Sequence, residues 1–123
     1  ADQKVSSHFL ITRKGELIQF VPTRNKAWHA GVSSFFDREK CNDFSIGIEL
    51  EGDGDHPFED IQYSALAKLS AQIHSVYPNL QIAGHSDIAP GRKVDPGVQF
   101  DWKKFQGKSN TPVEKFPFGL GPR

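Results

Sequence analysis

Val5–Pro22, VSSHFLITRKGELIQFVP, holds two short β-prone runs on either side of Lys14-Gly15. Glycine adopts positive φ without steric cost, so this stretch predicts a β-hairpin with its turn at Gly15. Downstream, Ser45-Ile-Gly-Ile-Glu-Leu-Glu alternates apolar with small or acidic side chains. That alternation predicts a half-buried strand with Gly47, Glu49 and Glu51 on one face. From Asp60 to Val76 the apolar residues Ile61, Ala65, Leu66, Leu69, Ile73 and Val76 recur at spacings of three and four, until Pro78 and Asn79 end the pattern. This is the principal amphipathic helix. Leu80–Gly84 reads as a further short strand that delivers His85 at its end, and Phe100–Phe105 as the start of a short last helix. Thr23–Asp43 has no sustained period and reads as a long irregular connection, of the kind that often carries function. From Gly107 onward, three prolines and three glycines without a period predict an irregular tail.

Composition bounds what such a chain does. At 123 residues and 37% hydrophobic content it holds one compact domain with a modest core. Fifteen basic residues balance fifteen acidic ones, so no net field draws it to nucleic acid or to an anionic membrane. Its apolar runs fall far short of the roughly 20 residues a spanning helix needs, which predicts a soluble chain. The lone Cys41 forms no internal disulfide and favours a reducing compartment. No signal pattern precedes the first strand, and the opening ADQKVSSHF reads as a fragment without its natural start.

The chemistry concentrates in Gly84–Gly97, GHSDIAPGRKVDPG. His85 and Asp95 lie ten residues apart across a Pro-Gly loop, so both can reach one cleft if the loop folds back. Imidazole nitrogen and carboxylate oxygen are zinc donors, and a catalytic zinc takes three protein ligands plus water. Equally, His85 can cap a strand while Asp95 forms an Asx-turn before Pro96. Glu49 on its strand and Lys93 beside Asp95 supply a carboxylate to accept a proton and a cation to stabilise an oxyanion. Taken singly, each is also an ordinary surface charge. Together the residue types suit metal-assisted hydrolysis of a carbonyl compound.

Four motifs in order, VSSHFLITRKGELIQFVP, AWHAGVSSF, CNDFSIGIELEG and GHSDIAPGRKVDPG, cover roughly residues 4 to 105. In them the chain resembles the type 2 N-acetylmuramyl-L-alanine amidases, zinc enzymes that cleave the amide between muramic acid and the first alanine of the peptidoglycan stem. The Ala27-Trp-His-Ala-Gly and Cys41-Asn-Asp sequences resemble the cytoplasmic branch that acts on 1,6-anhydro-muropeptides in bacterial cell-wall recycling. The resemblance implies an α/β fold, a mixed central β-sheet flanked by helices like that of peptidoglycan recognition proteins, with an amidase domain over 1–106 and the tail over 107–123.

Residue by residue, it implies His85 and Asp95 as zinc ligands, Glu49 as general base and Lys93 as the transition-state cation. The family's first zinc histidine lies on a strand ahead of the hairpin, outside this chain, and His8 matches a different position, so it is not taken as a ligand. The absent strand also implies an unpaired sheet edge and weak zinc binding by this chain alone, with the preceding segment as a separate piece or part of a longer protein. Trp28 and His29 resemble the cleft wall that stacks on sugar; without the resemblance Trp28 reads equally as a half-buried loop aromatic. Lys4 and Lys40 stand where relatives carry arginine to meet stem-peptide carboxylates. Cys41 is expected to pack as a small residue, and His56 and His74 to sit on the surface. The implied partner is an anhydro-muropeptide or peptidoglycan fragment, with neither nucleic acid nor membrane. Two other readings belong to the same fold: an envelope amidase acting on intact glycan, and a non-catalytic muropeptide-binding module, which would lack the His85, Asp95, Glu49 and Lys93 set.

Overall fold

A computed structural model describes residues 7–23, 34–35, 38–39 and 45–123. The hairpin forms as its sequence predicts: β1 (Phe9–Ile11) and β2 (Leu17–Gln19) pair antiparallel around Gly15, whose φ is 80°. Within the expected irregular connection, β3 (Ser34–Phe35) and β4 (Arg38–Glu39) form a two-residue antiparallel ladder, too short to leave a period in the sequence. β5 (Ile48–Leu50) lies parallel to β1 in the register Leu10 to Glu49, giving a mixed sheet of order β2-β1-β5.

His8 and Gln62 lock this sheet in place. His8 is fully buried, and its Nδ1 accepts the Gly47 amide at 3.0 Å while its carbonyl accepts the Phe20 amide at 2.8 Å. One residue thereby ties the entrance of β5 to the hairpin. The long helix α1 (Asp60–Val76) has the bounds that the apolar spacing predicts. Its buried Gln62 accepts the Glu59 amide at 2.9 Å and donates to the Glu51 carbonyl at 3.0 Å, fixing the helix start to the end of β5. A buried amide satisfied this way costs little, whereas an unsatisfied one would cost about 1–3 kcal/mol.

The core lies between α1, the sheet and α3 (Trp102–Ser109). Phe100 is its hub. Its ring stacks on Tyr63 at 5.3 Å and meets Trp102 edge-on at 4.8 Å and Phe105 at 6.0 Å. Asp101 caps α3 by accepting the Lys104 amide at 3.0 Å, and its own amide donates to the Tyr63 hydroxyl at 2.8 Å.

Three expectations are corrected. Leu80–Gly84 joins no strand ladder: the Ile82 amide donates to the Lys115 carbonyl at 2.7 Å, and the segment leads into the one-turn helix α2 (His85–Ile88). Nor is the stretch from Gly107 merely irregular. It carries the last turn of α3 and a 3-10 turn at Val113–Lys115, and Phe116 enters the core against Trp102 and Phe105. Both segments are held by tertiary contacts that local periodicity does not encode. His56 is exposed beside Asp53, whereas His74 tucks its ring against the Leu80 carbonyl at 3.0 Å, less open than a surface residue. Among the described residues, no helix is long and apolar enough to cross a membrane.

Candidate functional site

Gly84–Gly97 folds back on itself as its proline and glycine content suggests. The Ser86 amide donates to the Asp95 carbonyl at 2.9 Å, pinning the far end of the loop to the first turn of α2. This brings the two sequence-predicted donors together: Nδ1 of His85 lies 3.1 Å from Oδ2 of Asp95. The His85 side chain is 17% exposed and that of Asp95 60%, so one donor is set into the protein and the other opens to solvent. The Asp95 carboxyl is held below the ordinary carboxylate range, first by its hydrogen bond with His85; burial opposes this, and the Lys93 charge adds to the lowering. Asp95–Pro96 is a cis peptide.

Gly84 is required by packing rather than by backbone freedom, since its φ of −82° suits any residue. A Cβ there would stand 3.0 Å from Pro96 Cδ, 3.2 Å from Trp102 Cζ2 and 3.3 Å from Asp87 Oδ2. The Asp87 carboxylate, which sequence reasoning missed, accepts the Gly84 amide at 2.7 Å.

The other predicted residues are less tightly gathered. Glu49 projects from β5 beside Leu10 in the ladder and is exposed. Lys93 is exposed in the loop, its amide tied to the Ala89 carbonyl at 3.0 Å. Among the described residues, neither side chain makes a hydrogen bond or an ion pair. Lys4, Trp28, His29, Lys40 and Cys41 lie outside the described residues.

His85 and Asp95 suit zinc as half of a centre. Two ligand atoms of a tetrahedral zinc site, at about 2.0–2.1 Å from the metal, stand roughly 3.3 Å apart. The observed nitrogen and oxygen are close to that separation, and one ring and one carboxylate make a usual donor set. Among the described residues, no group of three or more His, Cys, Asp or Glu is placed to hold a metal.

Comparison with known proteins then defines the class. The family described as N-acetylmuramoyl-L-alanine amidase matches residues 1–98, and the chain belongs to it. It is 52% identical over 105 residues to the 1,6-anhydro-N-acetylmuramyl-L-alanine amidase AmpD of Haemophilus influenzae, covering 83% of this chain and 57% of that protein. The crystal structure of a selenomethionine AmpD derivative superposes with a TM-score of 0.83 at 51% identity, covering 85% of this chain and 59% of that one. Escherichia coli AmiD, solved with the substrate anhydro-N-acetylmuramic acid-L-Ala-D-γ-Glu-L-Lys, superposes at 0.80 with 38% identity, covering 87% of this chain and 49% of that one. The chain therefore spans less than two thirds of the length of these relatives. The mixed sheet with flanking helices is that of the amidase fold.

Proposed function

We propose that the protein carrying this chain hydrolyses the amide between 1,6-anhydro-N-acetylmuramic acid and L-alanine of muropeptides, with zinc, in the bacterial cytoplasm during cell-wall recycling. The carrying observation is the His85 and Asp95 pair, brought to 3.1 Å by the folded-back loop of a family member. Support for the substrate class comes from the relative described as a 1,6-anhydro-N-acetylmuramyl-L-alanine amidase and from the AmiD complex with its anhydro-muropeptide. The comparisons lend no support to a separately made N-terminal piece.

In this reading His85 and Asp95 would hold zinc together with a further ligand, which the resemblance implies on a preceding strand. When bound, zinc supplies a Lewis acid for the carbonyl and brings the pKa of water toward roughly 7. Glu49, at the exposed face of β5, accepts the proton of the attacking water at its carboxylate and returns it to the departing alanine nitrogen. Lys93 places its ammonium beside the carbonyl oxygen as negative charge develops there. Trp28 and His29 would wall the sugar subsite, and Lys4 and Lys40 would meet stem-peptide carboxylates. Lysine offers a point charge where arginine offers a fork, so that capture is expected to be looser than in arginine-bearing relatives.

Chromatography of digests of a defined anhydro-muropeptide and of intact sacculi tests the proposal. Peptide release from the soluble anhydro-muropeptide in strong preference to sacculi is expected. Equal release from both would point to an envelope amidase, and release from neither, with ligand bound, to a binding module.

A further inference from the structure

The turn that presents His85 is clamped from a part of the chain that the family match does not reach. Asp87 follows two residues after His85, and its side chain is only 6% exposed. Arg123 meets it as a two-pronged fork: Nε donates to Oδ1 at 2.7 Å and Nη2 to Oδ2 at 2.9 Å. Oδ2 also accepts the Gly84 amide, so the carboxylate closes a ring around the first turn of α2. The Arg123 guanidinium lies over the Trp102 ring at 4.2 Å, and its Nη1 donates to the Gly119 carbonyl at 3.0 Å. Arg123 is thus held by an aromatic face and by its own chain while it holds Asp87. It lies beyond the matched residues 1–98.

A buried carboxylate needs its cation. Without Arg123, Asp87 would keep only the Gly84 amide, and the favoured relief is rotation of the carboxylate toward water. That rotation releases the Gly84 amide and loosens the turn, whose Ser86 amide, two residues on, is what pins the Asp95 carbonyl. Both donors of the candidate centre hang on this one turn. Residues that orient metal ligands from behind typically alter metal affinity by roughly ten- to a hundredfold.

We propose that Arg123, acting through Asp87, is a positioning residue that holds the His85 turn against the Asp95 loop and so sets the affinity of that pair for zinc. This rests on the zinc reading of the pair proposed above. The full chain is titrated with zinc against a chelator of matched affinity, as the native protein and as His85→Ala, Arg123→Ala, Arg123→Lys, Asp87→Asn and Phe105→Leu. Amide hydrogen exchange at Ser86 is followed in parallel. Arg123→Ala and Asp87→Asn are expected to weaken zinc binding at least tenfold and to speed exchange at Ser86, and Arg123→Lys to recover part of both. Phe105→Leu should lower the melting temperature while leaving zinc affinity within twofold, which separates positioning from general loss of stability. If His85→Ala weakens binding but Arg123→Ala leaves affinity and Ser86 exchange unchanged, the positioning role is overturned and the zinc site stands. If His85→Ala itself changes nothing, the zinc reading fails and this role falls with it. Should Asp87→Asn not fold, Arg123→Ala carries the same decision alone.

Discussion

Gly84→Ala isolates the packing that shapes the candidate site. The added methyl would meet Pro96, Trp102 and Asp87 at 3.0–3.3 Å, a few tenths of an ångström inside ordinary contact. Trp102 cannot give way easily: it is buried, edge-packed on Phe100 at 4.8 Å and covered by Arg123. Relief must therefore come from Pro96, and moving Pro96 moves Asp95. Overpacking of this kind costs about 1–3 kcal/mol. Alanine is unstrained at φ −82°, ψ 157°, so reduced freedom of the unfolded chain returns about 0.4–1 kcal/mol. The net loss centres on about 1.3 kcal/mol, a fall in melting temperature of roughly 4–8 °C for a chain of this size. Gly107→Ala is the matched control. Gly107 lies inside α3, and a methyl added there would have nothing within 4 Å, so the same substitution should stabilise by about 0.5–1 kcal/mol. Thermal unfolding by circular dichroism reads both, and zinc titration reads the displaced Asp95. A Gly84→Ala protein as stable as the native one, with unchanged zinc affinity, would refute the packing account.

Further expectations concern single residues. Glu49→Ala should cut turnover by about a hundredfold or more while leaving zinc content unchanged, measured by steady-state kinetics and metal analysis; equal activity would remove Glu49 as the base. Lys93→Ala should lower kcat by about a hundred- to a thousandfold, and a change confined to KM would make Lys93 a binding residue instead. The carboxyl of Asp53 is lowered from 3.8 to about 2, first by the Asp55 amide and then by the His56 ring. A folded-state pKa below the unfolded one means that the contribution of this loop is complete above about 3.8 and lost as pH falls through about 2. Carbon-detected titration of Asp53 checks this, and a midpoint near 3.8 would contradict it. Phe100→Ala removes the ring shared by Tyr63, Trp102 and Phe105 and should cost about 3–5 kcal/mol in denaturant unfolding.

How much of this was legible beforehand depended on whether local pattern or distant contact set the outcome. Helix α1 was readable to its ends because its apolar spacing and Pro78 are local signals, and the hairpin because Gly15 marks its turn. The approach of His85 and Asp95 was readable as a loop that can fold back, although spacing alone did not separate zinc donors from turn-forming residues. Leu80–Gly84 misled because a β-prone run forms a ladder only where a neighbouring strand is available, and Lys115 offers a single carbonyl. Phe116 and Arg123 were hidden in a stretch of proline and glycine whose order comes from Trp102 and Asp87. Asp87 could have been suspected: an acid two residues after a candidate ligand, within a one-turn helix, is well placed to take the free amide at its start.

The central claim is hydrolysis of one amide, and the fate of the water oxygen tests it directly. An anhydro-muropeptide is incubated with the protein in heavy-oxygen water, with zinc, with a chelator, and with zinc restored after chelation; products are analysed by mass spectrometry. The account predicts heavy oxygen in the lactyl carboxylate of the anhydro-muramic acid product, a free amine on the L-alanine of an unlabelled peptide, loss of turnover with chelator and its return with zinc. Label in a peptide carboxylate, or turnover undiminished by the chelator, would contradict it.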